Sequence, residues 1–426
     1  MNRFLPEFWR FTVGSLRVVT QGGPAYIVWM ILLGTLVVAG VGAYGVQTAH
    51  GLIETNMRDQ LSWGFYIGNF TFLVGVAAAA VVIVIPAYVY DWGPFKEVVL
   101  IAELLAVAAI VMCILFVTVD LGRPHLLWHL MPGIGTPNFP YSLLVWDILV
   151  LNAYLVINLF VVTYLLFKSY THRPYSRKFI LPVILLSIPL AICIHTVTAF
   201  LFVGLVARPF WNSAILAPRF LASAFCSGPA LLVIIFQLAR YAGRMSVSNS
   251  ALTKIGELLA YAMAINLFLL GAELYTEFYS HTQHGIHAQI QWFGMHGHSG
   301  IAVYTRLSLA ANVSAFAIFV VPVLRHNLFL LTIGCLLTIF GIFIEKGMGL
   351  VLTGMTPDTL GEVYTYNPSI IELGVGIGIW AIGALLFTLM VKVALAVNVG
   401  ELRAESALTV GLSGGALARA RARVGR

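Results

Sequence analysis

Ten apolar runs divide this chain, at 25–46, 62–90, 97–120, 142–167, 178–206, 212–240, 252–279, 299–324, 327–348 and 370–398. Each reaches the roughly 20 residues that an α-helix needs to cross the hydrocarbon core of a bilayer. Lipid offers the backbone no hydrogen-bond partner, so a crossing segment must be a helix or part of a closed barrel, and the two-residue alternation of a barrel strand is missing here. Only 10% of the 426 residues are charged, against about 25% in a soluble domain. A mean hydropathy of +0.93 likewise excludes a water-soluble globular enzyme. The expected fold class is an all-α integral membrane protein with ten transmembrane helices.

The few charges sort by side. With the N-terminus in the cytoplasm, 18 of the 24 Lys and Arg fall on cytoplasmic segments. Arg58, Arg123, Arg208, Arg219, Arg306 and Lys346 remain for the other side. This bias supports an even number of spans and cytoplasmic placement of both termini. The organisation expected is a cytoplasmic segment 1–24, a transmembrane domain 25–398 and a basic cytoplasmic tail 399–426, in the inner (cytoplasmic) membrane. Arg3, Arg10 and Arg17 precede the first run as in a signal peptide. The run is too long for one, and no small-residue cleavage site ends it, so it reads as the first span. The tail reads as a disordered stop-transfer segment near anionic lipid.

Cofactor motifs are scarce. Cys113, Cys193, Cys226 and Cys335 are isolated in apolar stretches and no pair has CxxC spacing, so neither an iron–sulfur nor a zinc motif is present. Only His195 lies well inside a span, which disfavours a haem held by paired axial histidines. His281, His284, His287, His296 and His298 crowd one outer loop. Imidazole is a common metal ligand, but with no cysteine beside them a polar, partner-facing loop is the favoured reading and no metal site is expected.

The outward cations matter because topology predicts few of them. Arg123 stands in Asp120-Leu121-Gly122-Arg123-Pro124-His125-Leu126-Leu127-Trp128-His129, and Arg208 in Ala207-Arg208-Pro209-Phe210-Trp211-Asn212. Arg219 and Arg306 lie one to two turns inside their helices, where a guanidinium must pair with an acid or line a wet or ligand-filled cavity. His125 and His129 would share a face if their segment is α-helical. Trp63, Tyr66, Trp128, Phe139, Tyr141, Trp146 and Trp211 crowd the same level. For any one of these aromatics the ordinary interfacial belt is the commoner explanation. Acids form a second set within the spans: Glu103, Asp147, Glu257, Glu273, Glu277 and Glu345. Such groups face a bundle interior, either as structural ion pairs or as parts of ion and proton routes. Asp147 is favoured for function because it lies near the outer surface, one to two turns below the Gly-Arg-Pro loop.

The Leu121-Gly122-Arg123-Pro124 turn with Trp128 and His129 resembles the NrfD/PsrC family of quinone-interacting membrane subunits. So do Arg208-Pro209-Phe210-Trp211-Asn212, Pro218-Arg219-Phe220-Leu221 and Ser227-Gly228-Pro229. Glu345-Lys346-Gly347, Pro357, Tyr366-Asn367-Pro368 and Glu372 look like its ten-span branch, which holds the P subunit of the Dsr complex and the Hmc-type subunits. The resemblance covers nearly the whole chain. It implies two four-helix bundles plus an extra helix pair, and a subunit with no haem or iron–sulfur cluster of its own. It also implies a bound menaquinone or ubiquinone near the outer face, exchanging electrons with a periplasmic ferredoxin-like iron–sulfur subunit. A multihaem cytochrome c and further membrane or cytoplasmic redox subunits would complete a complex of sulfur metabolism. Nothing in the pattern points to nucleic acid.

Combined with the local chemistry, this gives a site. Arg123, His125, Trp128, His129 and Tyr141 would hold the quinone head group. Asp147 would exchange its proton, with Glu103, Asn152 and His195 extending a route toward the cytoplasm and so coupling the step to proton translocation. Arg208 and Trp211 would dock the partner. Two other classes remain open: a secondary transporter or proton channel using Glu103, Asp147 and Glu273, and a purely structural anchor for redox subunits. A transporter often shows internal symmetry or paired broken helices, and neither is evident.

Overall fold

The computed structural model describes residues 4–90, 92–96, 98–131, 133–243, 247–279, 285–294 and 300–404. Among them ten helices are long and apolar enough to cross a membrane: Pro24–His50, Phe65–Tyr88, Val99–Asp120, Leu143–Tyr170, Arg177–Val203, Leu216–Tyr241, Asn249–Tyr279, Ile301–Val320, Leu328–Met355 and Ile370–Val399. These coincide with the ten apolar runs, and we number them as spans one to ten. The largest departure is the ninth, which continues past 348 to Met355, where Gly347 and Gly354 let its last turns pack closely against Gly68 and Trp211.

Spans two to five pack as one bundle and spans six to nine as another, joined along spans two, six and nine, while spans one and ten form a pair laid against span three. That is the arrangement of two four-helix bundles and an extra pair. Span one buries little beyond Leu33, Gly40 and Gln47, so its hold on span ten depends on small residues. A Cβ on Gly40 would stand 2.4 Å from the Gly378 Cα, a backbone approach typical of helix pairs in lipid, where dispersion rather than hydrophobic exclusion drives association.

One helix was not expected. Within the segment 1–24, Phe4–Thr20 is helical. Phe4, Phe8 and Phe11 pack edge-on or tilted against Phe167 at 5.3, 5.8 and 6.0 Å between ring centroids, and Arg173 pairs with Glu7 at 3.0 Å. Leu5, Trp9, Val13 and Leu16 form a second, exposed stripe at helical spacing. Two apolar faces beside one bearing Arg10 and Arg17 suit a helix lying in a membrane interface.

At the end of the bundle away from the termini, the connections between spans lock together. Asn56 donates its backbone N–H to Glu372 (2.9 Å) and its amide to Asn367 O (2.8 Å), and Ser369 reaches Glu54 O (2.9 Å). Ser369 also caps span ten, with Glu372 returning the bond to its backbone. The Tyr366 hydroxyl donates to Glu372 and accepts from the Phe65 N–H.

Candidate functional site

The Gly-Arg-Pro loop leaves span three at Leu121, where backbone turns extended, and Pro124–Leu130 forms a 3-10 helix. With three residues per turn, positions four apart diverge. His125 and His129 therefore do not share a face as an α-helix would have placed them. His125 instead lines up with Trp128, and Trp128 and His129 stack at 3.7 Å between ring centroids. Arg123, His125, Trp128, His129 and Tyr141 are all exposed, Tyr141 by 84%. Phe139 and Trp146 pack at 4.6 Å, and the Trp146 indole donates to Pro140 O at 2.8 Å. Arg123, His125, Trp128 and His129 thus stand exposed along one short loop, an open platform rather than a closed pocket, and Tyr141 is exposed separately just before span four.

Asp147 is 1% exposed. Span four starts only four residues earlier, so Asp147 lies about 6 Å along its helix from the start, at 1.5 Å per residue. Thr198 of span five donates to Asp147 Oδ1 at 2.7 Å. One helical turn back, His195 is fully buried, its Nδ1 2.7 Å from Ala191 O. That carbonyl can only accept, so Nδ1 carries the proton and Nε2 presents a lone pair without a hydrogen-bond partner. Glu103 is also buried, near the far end of span three, and its Oε2 has no hydrogen-bond partner. Asn152 does not join this series: it is exposed, and its amide returns to Ile148 O of its own helix.

The docking residues fall elsewhere than expected. Trp211 is 0% exposed; its indole donates to Leu350 O at 2.9 Å and packs between Trp63 and Phe202. It seats on Gly354, where a Cβ would meet the ring at 2.0 Å. Trp211 therefore holds the two bundles together and presents nothing to a partner. Arg208 is half-buried and clamps two loops, donating to Met355 O and Gln60 O, both at 3.1 Å. Of the histidine-rich loop, His281, His284, His296 and His298 lie outside the described residues. His287 is buried in the helix Gly285–Phe293, with Nδ1 3.0 Å from both Thr353 O and Thr356 O, so it faces the protein and not a partner. No group of three or more metal-binding side chains gathers among the described residues.

A second polar centre lies in the other bundle. Arg219, as its depth required, pairs with acids: with Glu273 of span seven, and with Glu345 of span nine at 3.0 Å. Asn312 of span eight donates to Glu345 at 2.8 Å and Asn266 of span seven at 3.2 Å. Four helices thus converge on Glu345, which sits in a π-helical stretch, Phe343–Gly349. Beside it Lys346 donates to Phe220 O at 3.1 Å and stands 4.5 Å over the Phe220 ring. The Arg306 guanidinium is exposed and donates Nε to Ala302 O at 3.1 Å. Glu257 is a structural partner of Lys254 at 2.8 Å.

The chain is 27% identical over 394 residues to a protein described as a dimethyl sulfoxide reductase membrane subunit from Halobacterium salinarum, covering 84% of this chain and 88% of that one. It is 22% identical to a selenate reductase subunit of Mesobacillus selenatarsenatis, covering 85% and 93%. It is also 22% identical to the Hdr-like menaquinol oxidoreductase integral membrane subunit of Archaeoglobus fulgidus, covering 86% and 92%. Residues 53–356 match the family model described as polysulphide reductase, NrfD. The match takes in the platform, Asp147 and the Arg219 cluster, and by it this ten-span chain belongs to the NrfD family.

Proposed function

We propose that this chain is the quinone-exchanging membrane subunit of a respiratory complex, passing electrons between membrane menaquinol or ubiquinol and an iron–sulfur subunit docked on the outer face. The observation that carries the reading is the buried Asp147 carboxylate, held by Thr198 four residues into span four, in the helix that follows the exposed stretch of aromatic and basic side chains. A quinol leaving its electrons must also release two protons, and a buried carboxylate one turn into its span can accept one. Arg123, His125 and His129 supply hydrogen-bond partners for the ring oxygens, and Trp128 and Tyr141 supply flat apolar surface for the ring itself.

Asp147 accepts while the Thr198 hydroxyl, donating to Oδ1, orients the receiving carboxylate. His195 and Glu103, each with an unpartnered atom, would carry the proton onward through the first bundle, which makes the step charge-moving. Electrons would leave to the partner's cluster and on to a multihaem cytochrome c. The family and the relatives, two of them reductase subunits and one a menaquinol oxidoreductase subunit, support this reading. A Dsr-type role in sulfur metabolism, both termini in the cytoplasm and residence in the inner membrane complete it. The test is quinol-dependent reduction of the partner by assembled complex carrying Asp147→Asn or Arg123→Ala. Loss of reduction with assembly intact supports the site; full activity in both variants overturns it.

A further inference from the structure

A cavity of about 340 Å³ opens in the second bundle, away from Asp147. Its walls come from the π-helical stretch (Phe343, Met348), the rest of span nine (Leu352, Thr353), span eight (Ile301, Tyr304), Gln291 and the segment carrying Tyr366. Its size is at the low end of small-molecule sites, about 300–1,000 Å³. None of the described residues lining it carries a charge, so the walls offer nothing to a phosphate or an ammonium head group. They offer rings, from Phe65, Tyr304, Phe343 and Tyr366, with a few hydrogen-bonding groups set among them.

Two of those groups are telling. Thr353 is 2% exposed and its hydroxyl has no hydrogen-bond partner. Gln291 lines both this cavity and a small adjoining cleft that contains Arg219, Glu273 and Glu345. In that cleft the Thr305 hydroxyl and Arg219 Nε also lack partners. Orphaned buried donors are rare in native structures and call for an occupant. Tyr304 is exposed on the outer side of span eight, so the cavity borders lipid, where an apolar tail could trail. The extra residue per turn of a π-helix, a feature frequent at functional sites, sets Phe343 and Ile344 toward the cavity while Glu345 meets Arg219.

We infer that this cavity is a second binding site for an isoprenoid quinone, separate from the Asp147 platform: a neutral ring between the aromatic walls, a ring oxygen meeting Thr353 or Gln291, and the tail leaving past Tyr304. The inference rests on the reading of the chain as a quinone subunit, and the Arg219–Glu273–Glu345 cluster lies in the adjoining cleft, with Gln291 shared between the two.

The experiment is photolabelling of the intact complex in membranes with an arylazido-quinone, followed by peptide mapping. The result expected is label in peptides spanning 290–304 and 343–368 that unlabelled quinone displaces, and that is lost in Ile301→Trp, which fills the cavity, and weakened in Thr353→Val, which keeps the shape but removes the hydroxyl. Label confined to 121–147 would overturn the second site and leave the proposed function standing. Label in neither region would overturn both. Label in 343–368 that survives Ile301→Trp and excess quinone, or an acyl chain of phospholipid recovered there, would also overturn the inference.

Discussion

Replacing Arg219 with leucine is the sharpest structural test of the second bundle, because its two acids do not depend on the arginine equally. Glu345 also receives amides from Asn312 at 2.8 Å and Asn266 at 3.2 Å, whereas Glu273's ion pair is with Arg219. Removing one partner of a buried pair costs about 3–5 kcal/mol, a large part of a total stability on the order of 5–15 kcal/mol. Arg219→Leu should cost that much, mostly through Glu273. Glu273→Leu should cost less, about 1–3 kcal/mol, the range for one buried group left with fewer partners, since Arg219 retains Glu345 at 3.0 Å. The double variant Arg219→Leu with Glu273→Leu no longer strands Glu273, so the second substitution should restore part of what the first removes. Equilibrium unfolding of the three variants in one detergent, compared as a double-mutant cycle, reads all three values. The reasoning is refuted if Arg219→Leu lies within about 1 kcal/mol of wild type, near the scale of exposed pairs, or if the double variant is less stable than Arg219→Leu alone.

Other expectations follow from the same contacts. Burial and the adjacent Glu372 carboxylate push the Tyr366 hydroxyl above its ordinary value. A group raised in the folded state adds stability that is present below its unfolded value, about 10, and is lost as pH rises beyond it. Wild type should therefore lose more stability than Tyr366→Phe on going from neutral to strongly alkaline pH, and equal losses in parallel melts would refute the linkage. An ideal Cβ on Gly374 would stand 3.1 Å from Ala43 Cβ, near the Cβ separation of about 3.5–4.5 Å in disulfides. Ala43→Cys with Gly374→Cys should crosslink spans one and ten, and adding Gly40→Leu should abolish the crosslink. Gly354→Val should cost about 1–3 kcal/mol by unseating Trp211, in the usual range for overpacking; thermal unfolding unchanged from wild type would contradict the cradle.

What was legible in the sequence follows the range of the forces involved. Each span is a local matter of some twenty apolar residues, so its existence can be read from composition alone. The helix Phe4–Thr20 escaped because it is not uniformly apolar; the spacing of Leu5, Trp9, Val13 and Leu16 was the signal for it. Depth told that Arg219 must meet an acid, but six intramembrane acids were candidates, and tertiary packing alone selects Glu273 and Glu345. The platform was misread in one respect: spacing places His125 and His129 together only on an α-helix, and Pro124–Leu130 is 3-10. Trp211 illustrates the opposite error, since an interfacial tryptophan and one buried on a glycine of another span are identical as sequence. The 340 Å³ cavity draws on five separate segments, which is why no single motif announced it.

In the proposed function this subunit handles quinone with Asp147 as the proton acceptor. The most direct measurement is quinol oxidation by the intact complex in liposomes, with bound quinone quantified in the same preparations. At least one quinone should be retained by wild type, and quinol oxidation should be abolished in Asp147→Asn while the complex keeps all its subunits. Wild-type complex purified without quinone, or an Asp147→Asn complex that oxidises quinol at the wild-type rate, would contradict it.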